Sequence, residues 1–277
     1  MAVFIVILFV IYLIYRILVY YIDNGLYIPV NRRFAIRRYV FPKDVDLQKK
    51  LCASMREVSK ATFQGELPPY PFLHGDHSSL SYRVVCMFYE RKDPNQHPIA
   101  VHAPFVTRGC NENIIHCGLM MVTSDFQRKG IQMLASLNLV LFVLFHRAKY
   151  AVTEIGSSSS FFSIQDKYMT HGYPEWKSPA LKASKWHVDI GRFMMANHRQ
   201  DFGCSDLAIL EEDTLVVRGY CKDGGAVQFL KTNDSRKSRN PAKRKFIEDR
   251  LDNSNGDGQF FVSRPKPLLK VIREAVL

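Results

Sequence analysis

The sequence predicts an α/β (α+β) protein, with a mostly antiparallel mixed sheet flanked by helices and preceded by one transmembrane helix. Three observations predict this arrangement. The first 22 residues are almost wholly apolar. Short apolar runs between residues 82 and 122, separated by polar turns, are typical of neighbouring antiparallel strands. A longer apolar run over residues 131–145 is typical of a helix, and a further strand-like run comes at residues 150–155.

Residues 1–23 are predicted to form an uncleaved membrane anchor. The segment 2–22 carries one charge, Arg16, and that many residues at helical rise span ~30 Å, the thickness of a hydrocarbon core. A cleaved signal peptide is disfavoured because no basic residue precedes the run and no small-residue cleavage site comes after it. A buried helix of a soluble fold is disfavoured because the segment has no polar face. Arginines at positions 32, 33, 37 and 38 place the rest of the chain on the cytoplasmic side.

The chain carries a net charge of +12, which is concentrated in two blocks. Residues 31–50 and residues 236–250 each contain seven Lys or Arg and two Asp or Glu. Such short blocks favour solvated or membrane-facing segments over a nucleic-acid surface, so no nucleic-acid partner is expected. The six cysteines form no C-x-x-C pair. We therefore expect reduced thiols and no metal site.

The pattern along the chain predicts four parts. Residues 24–43 are predicted to be a basic juxtamembrane linker, and residues 44–230 a folded domain whose core motifs lie within 80–175. Residues 231–277 are predicted to be a basic flexible segment and C-terminal tail. Within the domain, the expected elements are a helix over 44–63 and strands over 82–89, 99–106, 114–122, 150–155, 207–209, 215–220 and 226–230, and the tail is expected to hold a short helix over 267–277.

The loop between residues 122 and 131 is the most informative local pattern. An apolar strand feeds a helix through a short polar loop that contains one glycine, Gly130. Free backbone N–H groups at the positive end of a helix dipole bind phosphate or pyrophosphate. Gln127, Arg128 and Lys129 add side-chain donors and charge. An ordinary helix start with a basic loop is the alternative interpretation of these residues.

The segments after the loop strengthen the phosphate interpretation. The order strand, loop, helix, strand, helix leads to Tyr168, three residues, Gly172 and Tyr173. This order resembles the GNAT superfamily of acyl-CoA-dependent N-acetyltransferases, whose loop reads Gln/Arg-x-x-Gly-x-Gly/Ala. Gln127 and Gly130 match that pattern, and Gln132 stands where the family has a small residue. The resemblance covers roughly residues 80–175.

The resemblance implies a GNAT-like sheet, acetyl-CoA as co-substrate without a metal, and an amine-bearing acceptor. A protein, a small molecule and a lipid headgroup are the open alternatives for that acceptor. The resemblance also implies that Tyr168 lies near the thioester sulfur as general acid, the alternative being a tyrosine that packs on its helix. Residues of the strand end and loop are expected to bind the cofactor: Met121, Val122, Gln127, Arg128, Lys129, Gly130, Ile131 and Gln132.

Transfer to an amine also needs a proton acceptor. His116 is one candidate, because strict alternation would place it on the same face as Gly118, Met120 and Val122. A histidine that is satisfied within the core is the competing interpretation. Glu112 and Glu154 are comparable candidates, and a water chain is a further alternative. No Gly-x-Ser-x-Gly motif is present, which argues against a serine hydrolase.

Together these features predict a membrane-anchored acetyltransferase that moves an acetyl group directly from acetyl-CoA to an amine. Two alternatives stay open. One is a catalytically inactive acyl-CoA-binding or scaffold module on the same fold. The other is a basic membrane-tethered interaction protein that contacts anionic lipid.

Overall fold

The computed structural model describes residues 2–63, 67–93, 95–146, 149–156, 159, 161–221, 240–252 and 254–267, with side chains from residue 10 onward except those of residues 144 and 145. The described helices are α1 (Ala2–Asp23), α2 (Val45–Thr62), α3 (Ile131–Phe145), α4 (Phe161–Tyr168), α5 (Lys185–Asn197) and α6 (Pro241–Glu248). The described strands are β1 (Ile28–Pro29), β2 (Phe34–Val40), β3 (Val84–Glu90), β4 (Pro98–Gly109), β5 (Glu112–Val122), β6 (Tyr150–Gly156), β7 (Met169–Tyr173), β8 (Ile209–Glu211), β9 (Val216–Arg218) and β10 (Gly258–Pro265).

All ten strands belong to one mixed, mostly antiparallel sheet. Its order is β1-β2-β3-β4-β5-β6-β10-β9-β8, with β7 also paired to β10. Among the described strand pairs, only β5 and β6 run parallel, since α3 connects them as a crossover. The predicted fold class is confirmed in its sheet and flanking helices.

Helices cover both faces of this sheet. On one face, α3 buries Ile131, Ala135, Leu139 and Phe142 against strand residues such as Ile115. On the other face, α2 packs through Leu51 and Met55, and α5 packs through Ile190 and Met194. Helices α2 and α5 form because apolar residues recur at helical spacing along one side of each, whereas α3 is apolar on its inner and outer sides.

The predicted helix over residues 44–63 is confirmed as α2. Asp44 is its N-cap, and the carboxylate accepts the Leu47 N–H at 2.7 Å. This bond satisfies one of the free donors of the first turn. Helix α3 begins and ends at the two residues that the sequence predicted.

The segment 24–43 differs from the predicted linker, because it contains β1 and β2. Strand β2 pairs along its whole length with β3 and buries Phe34 and Ile36. Arg38, which belongs to the first basic block, is buried and forms an ion pair with Asp23 at 2.6 Å. The two cations inside the strand, Arg37 and Arg38, hid the strand pattern in the sequence.

The C-terminal part also differs from a wholly flexible segment. Helix α6 lies within it, and β10 occupies the middle of the sheet between β6 and β9. The strand predicted over 99–106 is longer than expected, since β4 runs from Pro98 to Gly109 and includes Pro104. The strand predicted over 226–230 and most of the helix predicted over 267–277 lie outside the described residues.

Helix α1 ends at the folded domain, where Asp23 pairs with Arg38 of β2. From Val10 to Tyr21 most of its large apolar side chains are exposed. Among the residues described with their side chains, which for α1 begin at Val10, no helix is both long enough and apolar enough to cross a membrane.

Candidate functional site

Strands β5 and β6 separate from each other halfway along β5. Their parallel pairing runs from Asn113 with Tyr150 to His116 with Thr153 and then stops. Both strands continue, β5 to Val122 and β6 to Gly156. Beyond His116, no described strand pairs with the side of β5 that faces β6. The two strands therefore form a fork whose open edge on β5 is residues 117–122.

A β-bulge lies at the base of this fork. Ala103 pairs with Leu119 and Phe105 pairs with His116, so β5 holds one extra residue there. Gly118 has φ +63°, and a Cβ atom at this position would lie 2.8 Å from the Ala103 carbonyl oxygen. Only glycine fits this left-handed, closely packed position.

The loop after β5 leaves several donors free. Arg128 and Gly130 both have positive φ, of 62° and 83°. In the described structure, the N–H groups of residues 128–132 donate to no protein acceptor. Arg128, Lys129 and Gly130 are exposed, and a Cβ on Gly130 would have no neighbour within 4 Å. The loop thus offers unpaired amides, two cations and open space at the start of α3.

Three of the other predicted cofactor residues have their side chains engaged within the protein. Gln127 donates through Nε2 to the Val122 carbonyl at 3.2 Å, which ties the loop to the end of β5. The Met121 side chain is fully buried on the α2 face, so only its backbone is available to a ligand. Ile131, the first residue of α3, is buried in the core, and Gln132 is exposed in the first turn.

Cys117 and Glu154 interact where the fork opens, and His102 bonds the Cys117 backbone. The Cys117 thiol interacts with the carboxyl of Glu154, which is the residue after the last β5–β6 pair. Burial raises the pKa of Glu154 to about 8, and raises the pKa of Cys117 well above its usual value. Burial lowers the pKa of His102 to about 4, opposed by a hydrogen bond to the Cys117 backbone. A carboxyl with a pKa near neutrality is a competent general base.

His116 lies on the opposite face from the position that strict alternation predicted. Its ring stacks within a cluster of Phe105, Phe202 and Phe260, whereas Met120 and Val122 pack on the α3 face. The bulge is the reason, since one extra residue reverses the alternation. His116 Nδ1 is 3.0 Å from the Thr153 hydroxyl, and burial lowers its pKa to about 3.

The other two predicted catalytic residues lie in different places. Glu112, at the far end of β5, forms an ion pair with Arg264 and accepts the Trp186 indole N–H at 3.2 Å. Tyr168 is half-buried at the end of α4 and packs against the core cluster that contains Cys117. Tyr168 therefore shares the α3 face with the cluster at the fork, while Glu112 does not.

A cavity of about 490 Å³ opens on the other face of the sheet. Asp201, on its wall, accepts hydrogen bonds from Tyr82, His198 and the buried Arg83. Burial raises the pKa of Asp201, but these hydrogen bonds lower it by more. The pKa of Asp201 therefore lies below its usual value. Arg83 also donates to the Ala103 carbonyl at 3.3 Å, the oxygen that abuts Gly118. Two hydrogen bonds therefore connect this cavity with the bulge.

Sequence reasoning missed His102 and Cys117 as site residues and gave Glu154 no more weight than Glu112. One signal was present. An isolated glycine inside an apolar strand indicates a bulge, and Gly118 marked the place where the two strands part.

Among the described residues, no group of three or more His, Cys, Asp or Glu side chains is placed to hold a metal ion.

No protein-family model and no curated protein matches the chain. Several solved structures of acetyltransferases resemble it. The NatC complex bound to Gag peptide and CoA is 13% identical, with a TM-score of 0.33, covering 47% of this chain and 79% of its own. An aminoglycoside acetyltransferase from an uncultured soil metagenomic sample, in complex with trehalose, is 11% identical, with a TM-score of 0.35, covering 50% and 87%.

A GNAT family acetyltransferase from Elizabethkingia anophelis with acetyl-CoA bound is also 11% identical. Its TM-score is 0.32, and the match covers 52% of this chain and 88% of that one. At these TM-scores the likeness carries no argument about activity. The support for a function therefore lies in the fork, the bulge and the loop of this chain.

Proposed function

We propose that this protein is a membrane-anchored N-acetyltransferase that moves an acetyl group from acetyl-CoA directly to an amine. The observation that carries the proposal is the fork between β5 and β6, with its open edge leading to the loop at the start of α3. A long amide-bearing molecule with a diphosphate at one end fits this arrangement. Its amides add to the open edge like an extra strand, and its diphosphate meets the free N–H groups.

The acyl end of such a molecule would lie at the base of the fork. There Cys117 and Glu154 interact beside the bulge, and His102 bonds the Cys117 backbone. The amine nitrogen attacks the thioester carbonyl carbon, a C–N bond forms, and the C–S bond breaks. Glu154 takes the proton that the amine loses, because its raised pKa suits proton transfer near neutral pH. Tyr168 remains the predicted donor to the departing sulfur, because it packs on the same face.

The acceptor enters this proposal through the cavity on the opposite face. Asp76, Asp201 and Asp206 line it, together with a single arginine, Arg199, which donates to backbone carbonyls. An amine is a cation in water, and a cleft lined by carboxylates attracts it. Arg83 supports this route, because it donates both to Asp201 on the cavity wall and to the Ala103 carbonyl at the bulge.

Anchoring by α1 with the domain on the cytoplasmic side is the remaining part of the proposal. Its support is a 22-residue helix whose described side chains include many exposed Leu, Ile and Tyr residues. Flotation of the full chain with vesicles tests the anchor. Labelling the exposed Cys110 in intact cells with a membrane-impermeant maleimide tests the side. Labelling only after permeabilisation is the expected result.

Calorimetric titration of the full chain in detergent with acetyl-CoA, and then with a panel of amines, tests the function. We expect acetyl-CoA to bind and acetylated amine to form. Binding without turnover on any amine would instead favour the inactive module. If coenzyme A does not bind, the alternative that remains is a basic membrane-tethered interaction protein.

A further inference from the structure

The outer face of α3 is apolar and exposed. Helix α3 contains no charged residue over its fifteen positions. Its inner side is buried in the core, whereas Met133, Leu137 and Leu141 are 60%, 49% and 37% exposed. Residues four apart lie on the same side of a helix, so these three form one stripe of ~12 Å. A soluble catalytic domain has no need of such a stripe on a water-facing helix.

The end of α3 is fixed next to the end of α1. His146, just after α3, has its Nε2 atom 3.3 Å from a carboxylate oxygen of Asp23, the last residue of α1. Asp23 also pairs with the buried Arg38, whose guanidinium lies 6.0 Å from the Phe142 ring of α3. The C-terminal ends of α1 and α3 are therefore held together. The exposed apolar side chains of α1 and the stripe on α3 extend from this contact.

The charged residues that flank the stripe indicate what the stripe contacts. Arg128 and Lys129 precede α3 and Lys149 comes after it, and all three are exposed. An uncharged apolar face bounded by cations is the pattern of a helix that lies at a membrane surface containing anionic lipid. A second copy of the chain fits less well, because three partly exposed side chains fall far short of the roughly 800 Å² per partner of a stable dimer.

We propose that the outer face of α3 rests on the anionic surface of the bilayer that α1 enters. This inference rests on the proposed function, because it requires α1 to be the membrane anchor. It orients the domain, because the loop 127–130 at the start of α3 then lies close to the lipid headgroups. Acetyl transfer would take place beside the membrane surface rather than at the end of a free tether.

The test places an environment-sensitive fluorophore on the stripe in the full chain. In a Cys110→Ser background the described cysteines that remain are buried, so Leu137→Cys can be labelled selectively. Leu181→Cys is a matched control, since Leu181 is 51% exposed and lies in a loop distant in sequence from α1 and α3. Both proteins are reconstituted into nanodiscs of phosphatidylcholine and phosphatidylserine, with and without lipids that carry a quencher at headgroup depth.

We expect lipid-borne quenching at position 137 to be at least threefold stronger than at position 181. Equal quenching at the two positions, with the chain present in the disc, would overturn the α3 contact and leave the anchor intact. Failure of the chain to enter the disc would overturn both. A shielded probe at 137 with no lipid-borne quenching, together with a doubled mass, would assign the face to a second copy and contradict the proposal.

Discussion

The two halves of β5 differ in how many of their hydrogen-bonding groups already have partners within the protein. From Asn113 to His116 the strand has a partner on both sides, and the polar side chains of Glu112 and His116 pair with Arg264, Trp186 and Thr153. From residue 117 onward it has a partner on one side only, and it carries a bulge and leads into a positive-φ loop. The first half contributes stability, and the second half leaves donors available to a ligand. The proposed function thus begins where the pairing of β6 ends.

The largest effect is expected at Glu154. Glu154→Gln keeps the shape of the side chain and removes the base, so we expect kcat for acetyl transfer to fall about 10²–10⁴-fold. Steady-state kinetics of the full chain checks this result. An unchanged affinity for acetyl-CoA serves as the control that the fork still forms.

The pH dependence of Glu154 sharpens the same test. Because the pKa is raised from 4.5 to about 8, the wild-type rate should rise with pH and level off above pH 8. The stability due to this carboxyl is complete below pH 4.5 and is lost as pH rises through 8. Glu154→Gln should therefore lose the acidic limb of the rate profile and gain relative stability above pH 8. A mutant that retains that limb would show that another group is the base.

The bulge should be the next most sensitive point. Gly118→Ala places a Cβ atom 2.8 Å from the Ala103 carbonyl oxygen at a φ of +63°. We expect a loss of about 2–3 kcal/mol in the free energy of unfolding, from overpacking together with left-handed strain. Chemical denaturation measures this loss. Gly130→Ala is the control, since it has the same strain without the close contact and should lose only about 1 kcal/mol.

The loop provides a third test, on binding alone. Gly130→Asp puts a carboxylate beside the free N–H groups, where it repels a diphosphate, and we expect the affinity for coenzyme A to fall about 30-fold, or about 2 kcal/mol. Gly130→Ala has the same backbone strain and no charge, and should bind within threefold of the wild type. Titration calorimetry compares the two. Equal affinities in both variants would remove the loop from the cofactor site.

The smallest effect is expected in the first half of β5. His116→Phe suits the surrounding aromatic cluster and removes a buried nitrogen, Nε2, that has no partner in the described structure. Turnover should change by less than threefold, and the unfolding free energy by about 1 kcal/mol. Since the pKa of His116 is lowered to about 3, wild-type stability should fall as pH drops from 6.5 toward 3. The stability of His116→Phe should decrease less than that of the wild type over the same pH range. A large drop in turnover at constant stability would make His116 catalytic after all.

The part of the fold with regular patterns was predictable from sequence. Helices α2 and α3 lie where apolar spacing predicted them, and β5, the loop and β6 come in the expected order. Strand β2 was missed because Arg37 and Arg38 interrupt its apolar pattern, and Arg38 is buried only because Asp23 neutralises it. Strand β10 was missed because its place beside β6 depends on a partner about a hundred residues earlier.

The site was predictable only in part, and for the same reason. The loop is a local pattern, and the structure places its amides free and exposed. The base depends on where β5 and β6 separate and on which way the bulge turns each side chain. One extra residue in β5 moved His116 into the core, and the parting of the strands brought Glu154 against Cys117. Periodicity assumes an uninterrupted strand and therefore assigned the wrong face.

Amide hydrogen exchange of the full chain, with and without saturating acetyl-CoA, tests most directly whether the fork and the loop hold the cofactor. We predict that the ligand slows exchange at residues 117–122 and 128–132, which cover the open edge of β5 and the loop, and leaves residues 112–116 unchanged. Binding of acetyl-CoA with protection elsewhere and none at those two segments would contradict the proposed site.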